Sequence, residues 1–130
     1  MKISWVLLVS FVVLAILSSN VLAGPIPKGT WKINGNGFQG DLVITTFTGG
    51  NLTGTAYGND IFGFYNTASQ KIMFMRKCIA TDPTTYQIYT GYLFKTNGTN
   101  QYVLAGTFEA FSGSAATSVK NVTGWYATMQ

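Results

Sequence analysis

The feature that most constrains this chain is a series of eight short β-type segments, each closed by a turn, with no helical stretch between them. Val, Ile, Thr, Tyr and Phe fill the segments, and Gly, Asn, Asp or Ser fills the gaps. The predicted strands are 30–34, 39–47, 51–57, 60–66, 70–79, 85–94, 101–111 and 122–129. Short connections favour antiparallel neighbours. The sequence therefore predicts an all-β fold, an eight-stranded antiparallel up-and-down β-barrel, with a two-sheet sandwich as the alternative.

Five glycines fall inside predicted strands, where glycine normally weakens pairing. They are Gly54, Gly63, Gly91, Gly106 and Gly124. Repeated glycines within strands are expected where a sheet coils sharply enough to close on itself. The alternative is that the strands merely tolerate them.

The first 23 residues have the organisation of a secretory signal peptide. Lys2 precedes an apolar run over 5–17, a polar break over 18–20 and a small-residue cleavage pattern over 21–23. We expect an N-terminal signal helix over 1–23, followed by a single barrel domain over 24–130 in a secreted protein, extracellular or periplasmic according to the host. An uncleaved anchor is the alternative, although the run is short for a bilayer span.

The composition leaves few routes to catalysis. The chain has no His, four acidic residues and one cysteine, and it lacks a nucleophile motif or a phosphate-binding glycine loop. We therefore expect no enzymatic activity, no cofactor and no metal site. Cys78 has no partner in the chain, which leaves a buried thiol, an intermolecular bridge or a reactive site. The basic residues are scattered, so we expect neither nucleic-acid binding nor membrane association after leader removal.

Several short motifs, in order along the chain, resemble the avidin and streptavidin barrels. Gly29-Thr30-Trp31 is similar to their opening, and Leu52-Thr53-Gly54-Thr55 is similar to their third strand. Tyr89-Thr90-Gly91, Phe108 to Gly113 and Trp125-Tyr126-Ala127-Thr128 resemble their sixth, seventh and eighth strands. The resemblance implies an eight-stranded calycin-type barrel, often tetrameric, with a ligand pocket at one mouth.

The residues that would bind biotin in that family are mostly not matched. Ala56 takes the place of the third-strand tyrosine, and Tyr57 comes one residue late, which predicts that its side chain faces the other way. Ile33 takes the place of the first-strand asparagine, and Arg76 and Phe108 take the places of two tryptophans. We therefore do not expect biotin as the ligand.

In the register that the resemblance implies, the inward faces combine apolar and aromatic side chains with a few polar ones, the usual composition of a small-molecule site. The predicted inward residues are Trp31, Ile33, Leu42, Ile44, Ala56, Ile72, Phe74, Arg76, Gln87, Tyr89, Leu93, Phe108, Ala110 and Trp125. The residues predicted to bind a ligand are Trp31, Arg76, Gln87, Tyr89, Phe108 and Trp125. Arg76 could meet a ligand carboxylate; alternatively it caps the barrel end or pairs with Glu109. The same inward set also suits a filled barrel without a cavity.

The predicted outward faces are apolar too, which predicts a homo-oligomer or a structural, self-assembling module. This face comprises Phe62, Met73, Met75, Tyr86, Ile88, Tyr92, Val103 and Ala105. The partner would thus be a small, mostly apolar molecule, a second copy of the chain, or a glycan held by exposed Tyr and Trp. Three sequons make Asn97, the best placed, and Asn51 and Asn121 candidate glycosylation sites.

Overall fold

A computed structural model describes residues 24–79, 81–111 and 121–130, and it contains all eight predicted strands. The strands are β1 Gly29–Gly35, β2 Phe38–Thr48, β3 Asn51–Ala56, β4 Asn59–Asn66, β5 Lys71–Ile79, β6 Asp82–Lys95, β7 Tyr102–Phe111 and β8 Asn121–Met129. The largest boundary difference is at β6, which begins three residues before its predicted start. The predicted signal peptide over 1–23 lies outside the described residues.

The eight strands form one closed antiparallel barrel in sequence order. Closure occurs between β1 and β8, whose pairing runs from Trp31 opposite Met129 to Gly35 opposite Trp125. The predicted meander is therefore confirmed, and the two-sheet sandwich is wrong. Within the described residues, no helix is long and apolar enough to cross a bilayer.

Four of the five strand glycines lie where a neighbouring backbone approaches too closely for a side chain. At one of them, Gly91, a Cβ would lie 2.5 Å from the Ala105 carbonyl oxygen. A Cβ at Gly54 would overlap the carbonyl oxygen of Val43, and one at Gly106 would overlap that of Thr90. Gly63 is similarly crowded by β5. Gly124 differs, because a Cβ there would come no closer than 3.9 Å to another atom. Close approach therefore explains most of the pattern, and simple tolerance is sufficient at Gly124.

Side chains alternate between the barrel interior and the outer wall, as the strand period requires. The predicted inward residues are buried, except that Arg76, Gln87 and Ala110 at one end are half-buried. The prediction missed further interior residues, namely Leu52, Ile61, Tyr65, Leu104 and Ala127. Val103 lies on the outer face of β7 yet is only 8% exposed, so it adds little to the exposed outer wall.

The chain preceding β1 closes one end of the barrel, which we call the base. Ile26 is buried there, the Trp31 indole N–H donates to the Pro27 carbonyl at 3.3 Å, and the Tyr65 hydroxyl donates to the Gly24 carbonyl at 3.3 Å. The opposite end, where the β1–β2, β3–β4 and β5–β6 turns meet, we call the mouth. Among the described residues, the lead-in covers the base, and the mouth is the end at which the interior meets solvent.

Candidate functional site

A cavity of about 180 Å³ opens at the mouth. It is lined by Gly35, Phe38, Tyr57, Arg76, Gln87, Tyr89 and Phe108. Four of the six predicted ligand residues are therefore together, namely Arg76, Gln87, Tyr89 and Phe108. Strand register explains the grouping, since Arg76 pairs with Gln87 and Tyr89 pairs with Phe108 on adjacent strands. The interior is thus open at this end, and not filled throughout.

The other two predicted ligand residues, Trp31 and Trp125, belong to the packed core and not to the cavity wall. Trp31 is fully buried and bonded to the lead-in at the base. Trp125 is 3% exposed, and its indole N–H donates to the carbonyls of Thr90 and Thr107 at 3.2 and 3.1 Å. Neither indole lines the mouth cavity, because inward direction alone does not distinguish a wall residue from a core residue.

The floor of the cavity is a stack of aromatic rings across three strands. Tyr89 lies between Phe74 and Phe108, with ring centroids 4.7 and 4.8 Å apart and nearly parallel planes. Trp125 meets both Phe74 and Tyr89 edge to face from below. Offset stacks and edge contacts of this kind add stability beyond the burial of the rings. The floor of the cavity is therefore a closely packed aromatic surface.

Arg76 is held at the mouth by three neutral oxygens. Its Nε donates to the Ala56 carbonyl at 3.0 Å, Nη1 to Gln87 Oε1 at 2.9 Å, and Nη2 to Asn59 Oδ1 at 2.6 Å. Glu109 lies on the alternate face of β7 from the inward residues beside it. Of the two structural roles predicted for Arg76, capping the barrel end is therefore realised, with neutral partners and not with Glu109.

At the mouth, the side-chain hydrogen-bond acceptors are occupied, whereas some of the donors are not. Gln87 Oε1 accepts both from Arg76 Nη1 and from the Tyr89 hydroxyl, at 2.9 and 2.8 Å. The Tyr57 hydroxyl donates to the Phe38 carbonyl at 3.0 Å. Since a guanidinium only donates, the amide oxygen of Gln87 must face it, and the amide NH₂ points elsewhere. No buried polar side-chain atom among the described residues lacks a partner, so the remaining donors are open to solvent.

Burial keeps the phenols and the thiol near the mouth neutral. Desolvation raises the pKa of Tyr89 well above its ordinary value, and it raises the pKa of Tyr57 despite the opposing effect of Arg76. Desolvation likewise raises the pKa of the Cys78 thiol, and the Arg76 charge partly opposes it. The guanidinium of Arg76 is therefore the one ionised side chain among the described residues lining this cavity.

Tyr57 is the cavity residue that sequence reasoning placed wrongly. It was expected on the outer face, but β3 ends at Ala56 and Tyr57 adopts a left-handed conformation with φ of 52°. This turn directs its ring back across the mouth, where the Arg76 guanidinium lies 4.8 Å from the ring centroid. The ring also occupies the space where a side chain on Gly40 would stand. In the sequence, the turn residues Tyr57-Gly58-Asn59 were the feature that could have indicated this change of direction.

Further hollows lie beside the mouth, at the base and on the outer wall. The one beside the mouth, about 360 Å³, shares Arg76 and Gln87 with the cavity and includes half-buried Cys78. The base hollow, about 470 Å³, includes Lys95 and Asn97, and the wall hollow, about 450 Å³, includes Tyr126.

The sequon residues and the outer wall are placed as follows. Asn51 and Asn97 are exposed in the structure, and the side chain of Asn121 lies outside the described residues. On the outer wall, Phe62, Phe64, Met73 and Tyr92 are 47%, 61%, 43% and 52% exposed. Glycosylation at the three asparagines and assembly through this wall remain predictions.

Comparison with known protein families, curated proteins and solved structures finds no match to this chain. The eight-stranded closed meander agrees with the fold that the avidin-like motifs imply. Membership of that family stays a prediction. The described residues also contain no cluster of three or more His, Cys, Asp or Glu that could hold a metal ion.

Proposed function

We propose that this protein is a secreted, non-catalytic barrel that binds a small, mostly apolar ligand in the mouth cavity. One observation carries the proposal: the predicted polar residues Arg76 and Gln87 meet an aromatic floor inside an open cavity. Apolar walls with a few convergent polar groups are the general make-up of ligand sites. Secretion rests on the signal-peptide pattern of residues 1–23.

The size of the cavity restricts the ligand. At about 180 Å³ it is below the roughly 300–1,000 Å³ of drug-sized pockets, so it accommodates a compact group such as one ring. The adjoining hollow of about 360 Å³ gives room for a short extension along Arg76 and Gln87. A ligand with one ring inside and a tail at the rim suits this shape.

Assembly through the outer wall is the second candidate function. Phe64 lies opposite Met73 in the β4–β5 pairing, and Phe62 lies opposite Met75, which in turn lies opposite Ile88. These side chains form one apolar area across three strands, and soluble monomers rarely expose large areas of this kind. A homo-oligomer that buries this wall is the form we propose.

Two exposed phenylalanines separate the candidate functions. Phe38 is 73% exposed and lines the mouth, whereas Phe64 is 61% exposed on the outer wall. If the mouth binds ligand, Phe38→Ala weakens binding of a single-ring probe such as toluene, measured by amide NMR shifts, and Phe64→Ala does not. If the wall mediates assembly, Phe64→Ala lowers the mass measured by light scattering, and Phe38→Ala does not.

The outcomes that count against each function are equally specific. Toluene-induced shifts confined to the base or the wall, or no shifts at all, would contradict ligand binding at the mouth. A monomeric wild-type protein at micromolar concentration would contradict assembly. Native mass spectrometry of protein purified from its own source adds the identity of any retained ligand and any glycan on Asn51, Asn97 or Asn121.

Glycan binding is the remaining alternative, and one surface favours it. Tyr126 is 50% exposed beside the Lys32–Asp41 ion pair in the wall hollow. Aromatic faces flanked by polar groups suit the binding of sugar rings. Trp31 and Trp125 are buried, so neither can contact a glycan at the surface. A glycan array on which Tyr126→Ala abolishes a hit would support this function, and an array without hits would remove it.

A further inference from the structure

The donors left open at the mouth specify the ligand more closely than its size does. Arg76 makes its hydrogen bonds to neutral oxygens, so no described acidic group neutralises its charge at close range. Among the described residues, Nη1 also lies 4.0 Å from the Cys78 sulfur. Since Nη2 carries two N–H groups and donates one to Asn59, donor capacity remains on the guanidinium.

The other polar groups of the cavity lack acceptor capacity of comparable strength. Gln87 Oε1 is already shared by Arg76 and Tyr89, which leaves the Gln87 amide NH₂ as a further donor. A ligand that brought another donor would find neutral acceptors, namely phenol and backbone carbonyl oxygens. A ligand that brings a charged acceptor gains ionic hydrogen bonds, which are roughly twice as strong as neutral ones.

From this arrangement we infer that the ligand is a monocarboxylate with a compact, ring-sized apolar body. The carboxylate lies against Arg76 and the Gln87 amide, and the ring packs on the aromatic floor formed by Tyr89 and Phe108. One cation matches one negative charge, and the planar guanidinium matches the planar carboxylate. This inference rests on the proposed function, because it names the ligand class of the same cavity.

The geometry gives a reason why an arginine stands at this position. A buried or half-buried charge without a counter-ion is costly, and three neutral hydrogen bonds compensate it only in part. A bound carboxylate supplies the missing opposite charge. The stacking of the guanidinium over Tyr57 fixes its plane before the ligand arrives. Binding therefore requires little reorganisation of the site.

The test compares 4-fluorobenzoate with its neutral counterpart 4-fluorobenzamide by ¹⁹F relaxation on wild-type protein. We expect benzoate to bind at least tenfold more tightly. Arg76→Gln should bring the two affinities together by weakening benzoate alone, and Arg76→Lys should restore part of the preference. Lys77→Gln is the matched control, because it removes an adjacent positive charge that lies on the outer face, and it should keep the preference.

The results that overturn the inference are distinct from those that overturn the proposed function. If the amide binds as tightly as the carboxylate, the cavity binds ligand but the carboxylate class is wrong. If the preference survives in Arg76→Gln or is lost in Lys77→Gln, Arg76 is not its source. If neither probe binds at millimolar concentration, both the mouth site and the ligand class are wrong. The comparison of the two probes on wild-type protein tests the carboxylate class even if Arg76→Gln fails to fold.

Discussion

Phe74 and Phe108 contact the same ring from opposite sides, and replacing each by alanine should reveal which side faces the open cavity. Both stack on Tyr89 at nearly equal distances, 4.7 and 4.8 Å. Phe74 is 1% exposed and lies in the closed core, whereas Phe108 is 9% exposed and lines the cavity. We expect Phe74→Ala to lower the free energy of unfolding considerably more than Phe108→Ala.

The magnitude follows from what each substitution leaves behind. A Phe→Ala change in a core costs about 3–5 kcal/mol, of which a closed void on the order of 80 Å³ contributes about 2 kcal/mol. Phe74→Ala leaves such a void and also loses the edge contact with Trp125, worth about 0.5–1.5 kcal/mol. The space left by Phe108→Ala joins the mouth cavity and fills with water. The expected difference is therefore about 2.5–3.5 kcal/mol.

Urea unfolding followed by circular dichroism measures this difference, provided that the m-values of the variants agree. Phe38→Ala is the control, because it removes a ring that is 73% exposed and lies away from the outer wall, and it should change the free energy of unfolding by no more than about 0.5 kcal/mol. If Phe74→Ala is too unstable to measure, Phe74→Leu and Phe108→Leu should give the same order with smaller losses. An equal loss at the two positions, or a greater loss at Phe108, would refute the reasoning that water reaches this ring.

Three further predictions concern closure, pH and the base. Gly106→Ala should cost about 1–3 kcal/mol in urea unfolding, because its Cβ would overlap the Thr90 carbonyl, whereas Gly124→Ala should be neutral or slightly stabilising; equal effects would contradict the close-approach argument. Because burial raises the pKa of Tyr89, its stabilising contribution is complete below about pH 10 and is lost as the pH rises further, so Tyr89→Phe should flatten the fall in unfolding free energy between pH 9 and 11; an unchanged fall would count against it. Ile26→Ala should cost about 2–4 kcal/mol, since this side chain is 2% exposed at the base, and a loss below 0.5 kcal/mol would show that the lead-in does not seal that end.

The strand pattern was readable from sequence because period-two alternation and turn residues are local properties. The pairing of β1 with β8 followed from counting strands, since eight twisted strands in sequence order close readily. The inward direction of Arg76, Gln87, Tyr89 and Phe108 followed from the register that the avidin-like resemblance implies, extended by alternation along each strand.

Three features could not be predicted by these means. Depth along the barrel depends on register across all eight strands, which is why the sequence did not show that Trp31 and Trp125 lie in the core and away from the cavity wall. Tyr57 was missed because one positive φ at the end of β3 reverses the direction that alternation predicts. Asn59 was missed for a related reason, since its contact with Arg76 depends on the turn and not on a strand face.

Because β1 and β8 pair with each other, every described strand has a neighbour on both sides and none offers a free row of backbone N–H and C=O groups. Strand addition by a foreign peptide and edge-to-edge aggregation both need such a row. Any partner that meets the described strands must therefore contact side chains, and substitutions on their surface can change that contact without disturbing the hydrogen-bonded ladder beneath.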